Sequence, residues 1–178
     1  HRNDFKSLSD YVFAPESYKL TEALHSDFPN FVDRLSKGHK FDVTTNIFEK
    51  LPEIFTDDKP ECESIQLIGR LNNERVIKFV PKKYIKGPGN LDKYKVILPK
   101  ANGSGAIGEV LSTPLVGTPL VGTPLVGHTQ TFISIGKLET LDEADSLFKY
   151  IKSKFARTLL GVLKITQDNK KGTWKYVP

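Results

Sequence analysis

The chain has 178 residues, of which 38% are hydrophobic and 26% are charged, as is typical of a soluble globular domain. No segment approaches the roughly 18 consecutive apolar residues of a membrane-spanning helix, so we expect no membrane partner. Cys62 is the single cysteine, which excludes an internal disulfide and favours a reducing, cytoplasmic setting. The chain contains no methionine, and we expect it to be part of a longer protein.

The net charge of +5 is unevenly distributed along the chain. Residues 1–64 contain 8 Lys and Arg against 13 Asp and Glu, whereas residues 65–178 contain 18 against 8. This separation indicates that the later part of the chain meets a polyanion. A solvated basic surface explains the charge alone equally well.

The N-terminal third is expected to form short helices. Residues 17–25 and 28–35 have helical spacing of their apolar side chains, and residues 46–51 form a further short turn. We therefore predict that residues 1–63 are a helical lead-in to a main domain at residues 64–178.

Strand patterns begin at the start of this main domain. Residues 65–71 and 75–80 are rich in β-branched and apolar residues, and they flank Asn72-Asn73, a pair that tolerates positive φ. A β-hairpin is therefore predicted. Residues 94–98 and 130–135 are predicted to form two further strands.

The C-terminal part is dominated by a helical pattern. Thr140 stands three residues before Glu143, the spacing of a capping box, and apolar residues then recur every three or four positions. This pattern predicts one long helix over residues 140–160, and residues 173–177 are predicted to form a closing strand. The expected fold class is α+β, with a mixed or antiparallel sheet, a long C-terminal helix and short N-terminal helices.

The pentapeptide Thr-Pro-Leu-Val-Gly occurs three times in succession, at residues 113–117, 118–122 and 123–127. A five-residue period with Pro and Gly in each copy suits neither a helix nor a regular strand. We expect an extended loop lengthened by local duplication, with a functional repeat as the alternative.

The sequence contains no convincing catalytic constellation. Residues 103–108 match the G-x-G-x-x-G pattern, but Pro114 follows too soon for the helix of a dinucleotide site. We expect instead a loop whose exposed backbone N–H groups approach a phosphate. Asp57-Asp58 with Glu61 and Glu63 raises the alternative of a nuclease-type metal cluster, although a solvated acidic loop is the favoured interpretation. The chain is therefore expected to be non-enzymatic and to bind no metal.

Basic and amide-bearing side chains are concentrated near the third strand, before the fourth strand, and in the C-terminal segment. Lys and Arg pair with DNA phosphates, whereas Asn, Gln, His and Arg read base edges. The predicted DNA-binding residues are Lys100, Asn102, Ser104, His128, Thr129, Gln130, Lys154, Arg157, Gln167, Asn169, Lys170, Lys171 and Lys175. Four of these, Asn102, Gln130, Arg157 and Gln167, are the expected base readers. For Arg157, bracing of the helix is an equally good interpretation.

Several segments resemble a known family. Residues 94–105 are similar to the strand and loop in the C-terminal recognition region of type II adenine-specific methyltransferases and fused restriction-modification enzymes. Residues 128–132 resemble the polar entry into that family's next strand. Residues 140–164, followed by 166–167 and 174–178, resemble its concluding helix and strand.

The resemblance covers residues 40–178, although the triple repeat departs from the family pattern over residues 106–127. It implies a target-recognition domain that grips double-stranded DNA and selects its sequence in the bacterial cytoplasm. An upstream methyltransferase domain of the same chain, possibly with a nuclease domain, would bind S-adenosylmethionine and flip the adenine, and no cofactor is expected in this part. The alternatives are a protein-interaction module of a restriction-modification complex and a metal-dependent nuclease domain.

Overall fold

The computed structural model describes residues 6–178, apart from the side chains of Val32 and Ile107. Short 3-10 turns connect its helices and strands. The α-helices are α1 (Glu22–Asp27), α2 (Ile47–Lys50), α3 (Leu141–Lys152) and α4 (Lys154–Leu163). The strands are β1 (Val12–Phe13), β2 (Lys19–Leu20), β3 (Ser64–Leu71), β4 (Glu74–Pro81), β5 (Ile85–Lys86), β6 (Tyr94–Pro99), β7 (Leu120–Gly122), β8 (Val126–His128) and β9 (Phe132–Leu138). The fold is thus a mixture of helices and mainly antiparallel sheets with helices near the C-terminus.

The described residues form two compact units that interleave along the sequence. The terminal unit comprises the described residues up to Ala14, Lys93–Thr123 and Phe132–Pro178. The hairpin unit comprises Pro15–Asp92 and Pro124–Thr131. These units do not coincide with a division at residue 63, because the N-terminal helices share a hydrophobic core with β3 and β4. Residues 1–5 of the predicted lead-in lie outside the described residues.

The terminal unit is built on a four-stranded antiparallel sheet with the strand order β1-β9-β6-β7. The central strands β6 and β9 are almost entirely buried. Val96 of β6 pairs with Ile135 of β9, and both pack in one core with Ile151 of α3 and Leu160 of α4. The predicted strands at residues 94–98 and 130–135 are confirmed, the second with its start at Phe132.

The predicted long C-terminal helix is two helices. The capping box is present, since the Thr140 hydroxyl accepts a hydrogen bond from the Glu143 N–H at 3.3 Å. The helix ends at Lys152, however, because Ser153 is extended (φ −64°, ψ 152°) and its hydroxyl accepts from the Ala156 N–H at 3.2 Å. A serine side chain that bonds to nearby backbone competes with helix continuation and favours a new N-terminus.

The predicted closing strand at residues 173–177 is wrong. Lys171–Trp174 form a 3-10 helix, and Trp174 and Val177 are both fully buried. Side chains three positions apart lie on the same side of a 3-10 turn, so this conformation buries both in one core. A strand would have directed them to opposite faces.

The hairpin unit confirms the predicted β-hairpin. β3 and β4 pair in register from Ser64 with Pro81 to Leu71 with Glu74. The two turn residues, Asn72 and Asn73, have φ values of 50° and 65°, as a two-residue hairpin turn requires. β8 then pairs with β3 in parallel.

The predicted N-terminal helices are confirmed in part. Residues 46–51 contain α2, and residues 28–35 contain the 3-10 helix Pro29–Arg34. Residues 17–25 are interrupted in the middle: Ser17 ends a 3-10 helix and Glu22 begins α1, but Lys19–Leu20 between them pair with Ile85–Lys86 as a short strand. A β-pairing partner distant in sequence has overridden the local helical spacing there.

The three identical pentapeptides adopt three different conformations, so the expected single extended loop is wrong. The first forms the 3-10 helix Thr113–Leu115 and buries Leu115 and Val116 completely. The second supplies β7, which pairs with β6, and the third supplies β8 after Leu125, whose φ is 63°. Because the three sequences are the same, their surroundings in the chain and in the fold, and not their own residues, select these conformations.

Candidate nucleic-acid interface

The structure brings together two predicted segments in what we call the paired loops, residues 99–105 and 164–171. The Asn102 N–H donates to the Gln167 carbonyl at 2.8 Å, and the Asn169 N–H donates to the Lys100 carbonyl at 2.6 Å. Ala101 and Asp168 form an antiparallel bridge between these two bonds. Two segments that are more than 60 positions apart in sequence are therefore held side by side by backbone hydrogen bonds.

A buried lysine fixes the paired loops to each other. Lys164 ends α4 and is fully buried. Its ammonium donates to the carbonyl of Asn102 and to those of Thr166 at 3.0 Å and Gln167 at 3.1 Å. Burial lowers the pKa of Lys164, while the carboxylates of Glu109 and Asp168 act in the opposite direction.

Sequence reasoning did not identify Lys164. The signal available was a single lysine at the end of the apolar run Leu159–Leu163, where a solvated helix end is the ordinary interpretation. Its role depends on the Asn102 carbonyl, whose proximity the sequence does not indicate.

The loop at residues 103–105, which matches the start of the G-x-G-x-x-G pattern, binds the carboxylate of Glu109 from the same chain. The backbone N–H groups of Ser104 and Gly105 donate to the Glu109 carboxylate at 2.8–2.9 Å, and the Ser104 hydroxyl donates to it at 3.2 Å. The Ser104 N–H is the main cause of a lowered pKa at Glu109. Gly105 has φ +84°, and a Cβ there would overlap the carbonyl oxygen of Lys164, so the loop requires glycine at this position.

The context of this loop differs from that of a dinucleotide site. It leads into the five-residue 3-10 helix Ile107–Leu111. A dinucleotide loop opens instead an α-helix that directs several N–H groups toward a pyrophosphate.

Most of the predicted DNA-binding residues in the terminal unit, basic or polar, are accessible to solvent. Lys100 and Asn102 are half-buried, and the other accessible candidates are exposed. These exposed residues are Ser104, Lys154, Gln167, Lys170, Lys171 and Lys175. The described terminal unit contains 13 Lys and Arg against 7 Asp and Glu, a net charge of +6, whereas the hairpin unit contains 12 against 13. The excess positive charge thus belongs to the unit that carries the paired loops.

Two of the predicted DNA-binding residues in the terminal unit, Arg157 and Asn169, are buried. Arg157 is 6% exposed on α4, and its Nε donates to the Ser153 carbonyl at 3.4 Å, so it braces the helix instead of reading bases. Asn169 is fully buried, and its side-chain amide donates to the Pro99 carbonyl at 3.0 Å. Asn169 therefore holds the paired loops together from inside the fold.

Two further predicted DNA-binding residues, His128 and Thr129, are fully buried in the hairpin unit, so their side chains are not available to DNA in this structure. The His128 ring centre lies 4.6 Å from that of Tyr18, and the Thr129 hydroxyl donates to the Thr131 hydroxyl at 3.1 Å. His128 is the last residue of β8 and pairs with Ile68 of β3, and the polar run after it leads into β9. Gln130 is half-buried in the same unit, and its N–H donates to the Val43 carbonyl at 3.1 Å.

The acidic stretch before β3 is paired with lysines. Asp57 accepts from Lys78 at 2.6 Å, and Glu63 accepts from Lys82 at 2.6 Å. Within residues 6–178, no group of three or more His, Cys, Asp or Glu side chains has a metal-binding arrangement. These contacts give the nuclease alternative no geometric support.

No protein-family model, curated protein or solved structure matches the chain. The resemblance to restriction-modification enzymes therefore rests on the sequence segments alone. Among the described residues, no helix has the length and apolar character needed to cross a membrane.

Proposed function

We propose that the terminal unit binds double-stranded DNA as the target-recognition domain of a bacterial restriction-modification enzyme. The observation that carries this proposal is the pairing of residues 99–105 with 164–171 in the unit of net charge +6. That pairing joins two segments that resemble the recognition region, and it does so beside exposed lysines.

Different side chains of this surface have different roles in the proposal. Lys154, Lys170, Lys171 and Lys175 pair with phosphates, and each neutralised phosphate steepens the salt dependence of log K by about 0.9. Asn102 and Gln167, with Lys100 nearby, approach base edges, where a good bidentate contact discriminates by about 1–3 kcal/mol. The chemistry of methyl transfer, with S-adenosylmethionine, belongs to the upstream domain.

A protein-interaction module is the second candidate, because the terminal unit also exposes large apolar side chains. Leu111, Phe155, Val162 and Ile165 are 72%, 59%, 59% and 82% exposed. Large exposed apolar side chains of this kind are what a protein contact would bury. In the proposed parent enzyme, the methyltransferase domain of the same chain is the partner for such a contact.

Fluorescence anisotropy with a pool of labelled duplexes tests the proposal. Protein concentrations up to about 100 µM cover the range of nonspecific dissociation constants. Replacing both Lys170 and Lys171 by Ala is expected to reduce the log–log salt slope by about 1.8. Lys86→Ala, an exposed lysine of the hairpin unit, is the control and should leave the slope unchanged.

Selection from a random duplex pool then reports sequence preference. Gln167→Ala should relax the preference at one position and leave the salt slope unchanged. Absence of duplex binding at low salt, together with binding to the methyltransferase domain, would favour the interaction module. Magnesium-dependent cleavage of the duplex would favour the nuclease.

A further inference from the structure

We propose that the Ser104 and Gly105 amides form a phosphate-binding site, which Glu109 fills in the free protein and from which a DNA phosphate displaces it. The proposal extends the proposed function by naming one contact and the group that controls it. It also assigns Glu109 a role as an internal competitor for the DNA backbone.

The geometry of the donors supports an exchangeable anion site. Two successive backbone N–H groups and one hydroxyl converge on the carboxylate of Glu109 within 3.2 Å. Successive amides of this kind bind phosphate and carboxylate oxygens alike, because both anions present several acceptors to the same concave surface. The site therefore selects for an anionic oxygen group and does not require the glutamate itself.

The surroundings also favour exchange. Glu109 is carried by the five-residue 3-10 helix Ile107–Leu111, and Gly108 and Leu111 of that helix are exposed. Glu109 as a whole is half-buried. Lys164 lies close enough to lower the pKa of Glu109, and its positive charge would stabilise a phosphate in the same place.

The site follows directly in sequence from the residues that are proposed to contact DNA. Asn102 precedes the site by two residues, and its N–H is bonded to the Gln167 carbonyl. A phosphate at the Ser104 and Gly105 amides would hold the duplex beside the side chains of Asn102 and Gln167. Displacement of Glu109 opposes this binding, so the wild-type protein binds DNA more weakly than the donors alone would allow.

Amide NMR with inorganic phosphate tests the site without DNA. In Glu109→Ala, the Ser104 and Gly105 amide signals should shift in a saturable manner with phosphate, whereas wild type should respond at least about tenfold more weakly. The Asn102 amide, protected by its bond to Gln167, reports that the loop has remained folded. Unresponsive Ser104 and Gly105 amides in a variant whose Asn102 amide is still protected would overturn the proposal.

Duplex binding provides the second readout, with Asp168→Ala as a matched control. Asp168 also lies near Lys164, and it pairs with Lys170 at 3.4 Å without contacting the Ser104 or Gly105 amides. Glu109→Ala should raise duplex affinity roughly tenfold, and Asp168→Ala by about threefold or less. Equal gains in the two variants would show a general charge effect and contradict displacement. If no variant binds duplex, the proposed function fails while the phosphate titration still decides the anion site.

Discussion

Replacing Lys164 by Met tests whether a buried ammonium stabilises the paired loops. The side chain is fully buried, and its ammonium is bonded to three carbonyl oxygens, those of Asn102, Thr166 and Gln167. Methionine has a similar length and fills the same space without a donor. The substitution therefore removes the hydrogen bonds and leaves the packing nearly intact.

The expected change follows from the environment of the three acceptors. The Gln167 carbonyl keeps its bond from the Asn102 N–H at 2.8 Å after the substitution, whereas Asn102, the acceptor on the other loop, is half-buried. An acceptor left unsatisfied costs about 1–3 kcal/mol, and a hydrogen bond from a charged donor contributes about 1.5–3 kcal/mol. Relief from burying the ammonium offsets part of this loss. We expect Lys164→Met to lower the free energy of unfolding by about 2 kcal/mol.

Urea denaturation followed by circular dichroism measures this difference. With an m-value of about 2 kcal/mol/M, the midpoint should fall by about 1 M while m is unchanged. Lys154→Met, at the exposed start of α4, is the control and should change stability by no more than about 0.5 kcal/mol. A variant as stable as wild type, with the Asn102 amide still protected from exchange, would refute the stabilising role of the ammonium.

Four further predictions concern single positions. Asn73→Gly should stabilise the hairpin turn by about 0.5–1 kcal/mol in thermal melts, because Asn73 has φ 65°, and Asn73→Ala should destabilise it. Arg157→Ala should lower the free energy of unfolding by about 1–3 kcal/mol and leave the duplex affinity of the folded protein unchanged. Weaker duplex binding at unchanged stability would instead indicate that Arg157 reads bases. Hydrogen bonding from the Ser104 N–H lowers the pKa of Glu109 below its usual 4.5. The contribution of the ionised Glu109 to stability should therefore be complete above pH 4.5 and be lost as the pH falls through the lowered pKa. The Ser104 and Gly105 amide shifts, followed against pH, would contradict this if they titrated above pH 4.5. Trp174→Ala should destabilise by about 3–5 kcal/mol in urea, against about 0.5 kcal/mol for the exposed Tyr176→Ala, and similar losses for both would mean that the buried indole contributes little.

Features encoded by neighbouring residues could be predicted from the sequence. The turn at Asn72-Asn73 and the capping box of Thr140 and Glu143 depend on contacts within four residues, and both are present in the structure. The strand at residues 94–98 was also predictable from its apolar run. In each case the physical cause lies within the segment itself.

Burial of polar residues could not be predicted in the same way. His128, Arg157 and Asn169 have side chains suited to DNA, yet all three are buried, and His128 lies against Tyr18, which is distant in sequence. Asn169 bonds to Pro99, which is 70 positions away. Gln167 stands only two positions before Asn169 and also carries an amide, yet it is exposed, and only the tertiary structure reveals this difference in burial. The break at Ser153 has a different cause, because its cap is local but lies within an apolar spacing that continues across it.

Each copy of the Thr-Pro-Leu-Val-Gly pentapeptide occupies its own place in the fold, so a change in the number of copies would change the structure. The second copy pairs Leu120, Val121 and Gly122 with β6, whereas the third pairs Val126 and Gly127 with β3, followed by His128 outside the repeat. A chain displaced by five residues would therefore offer β6 the same three residues, but it would offer β3 a threonine in place of His128. A chain with two copies would have to leave one of three positions empty, and one with four would have to extrude the extra copy. Loss of a copy would thus remove either one of the two β-pairings or the buried side chains of Leu115 and Val116, whereas a gained copy would lengthen a connection and leave all three in place.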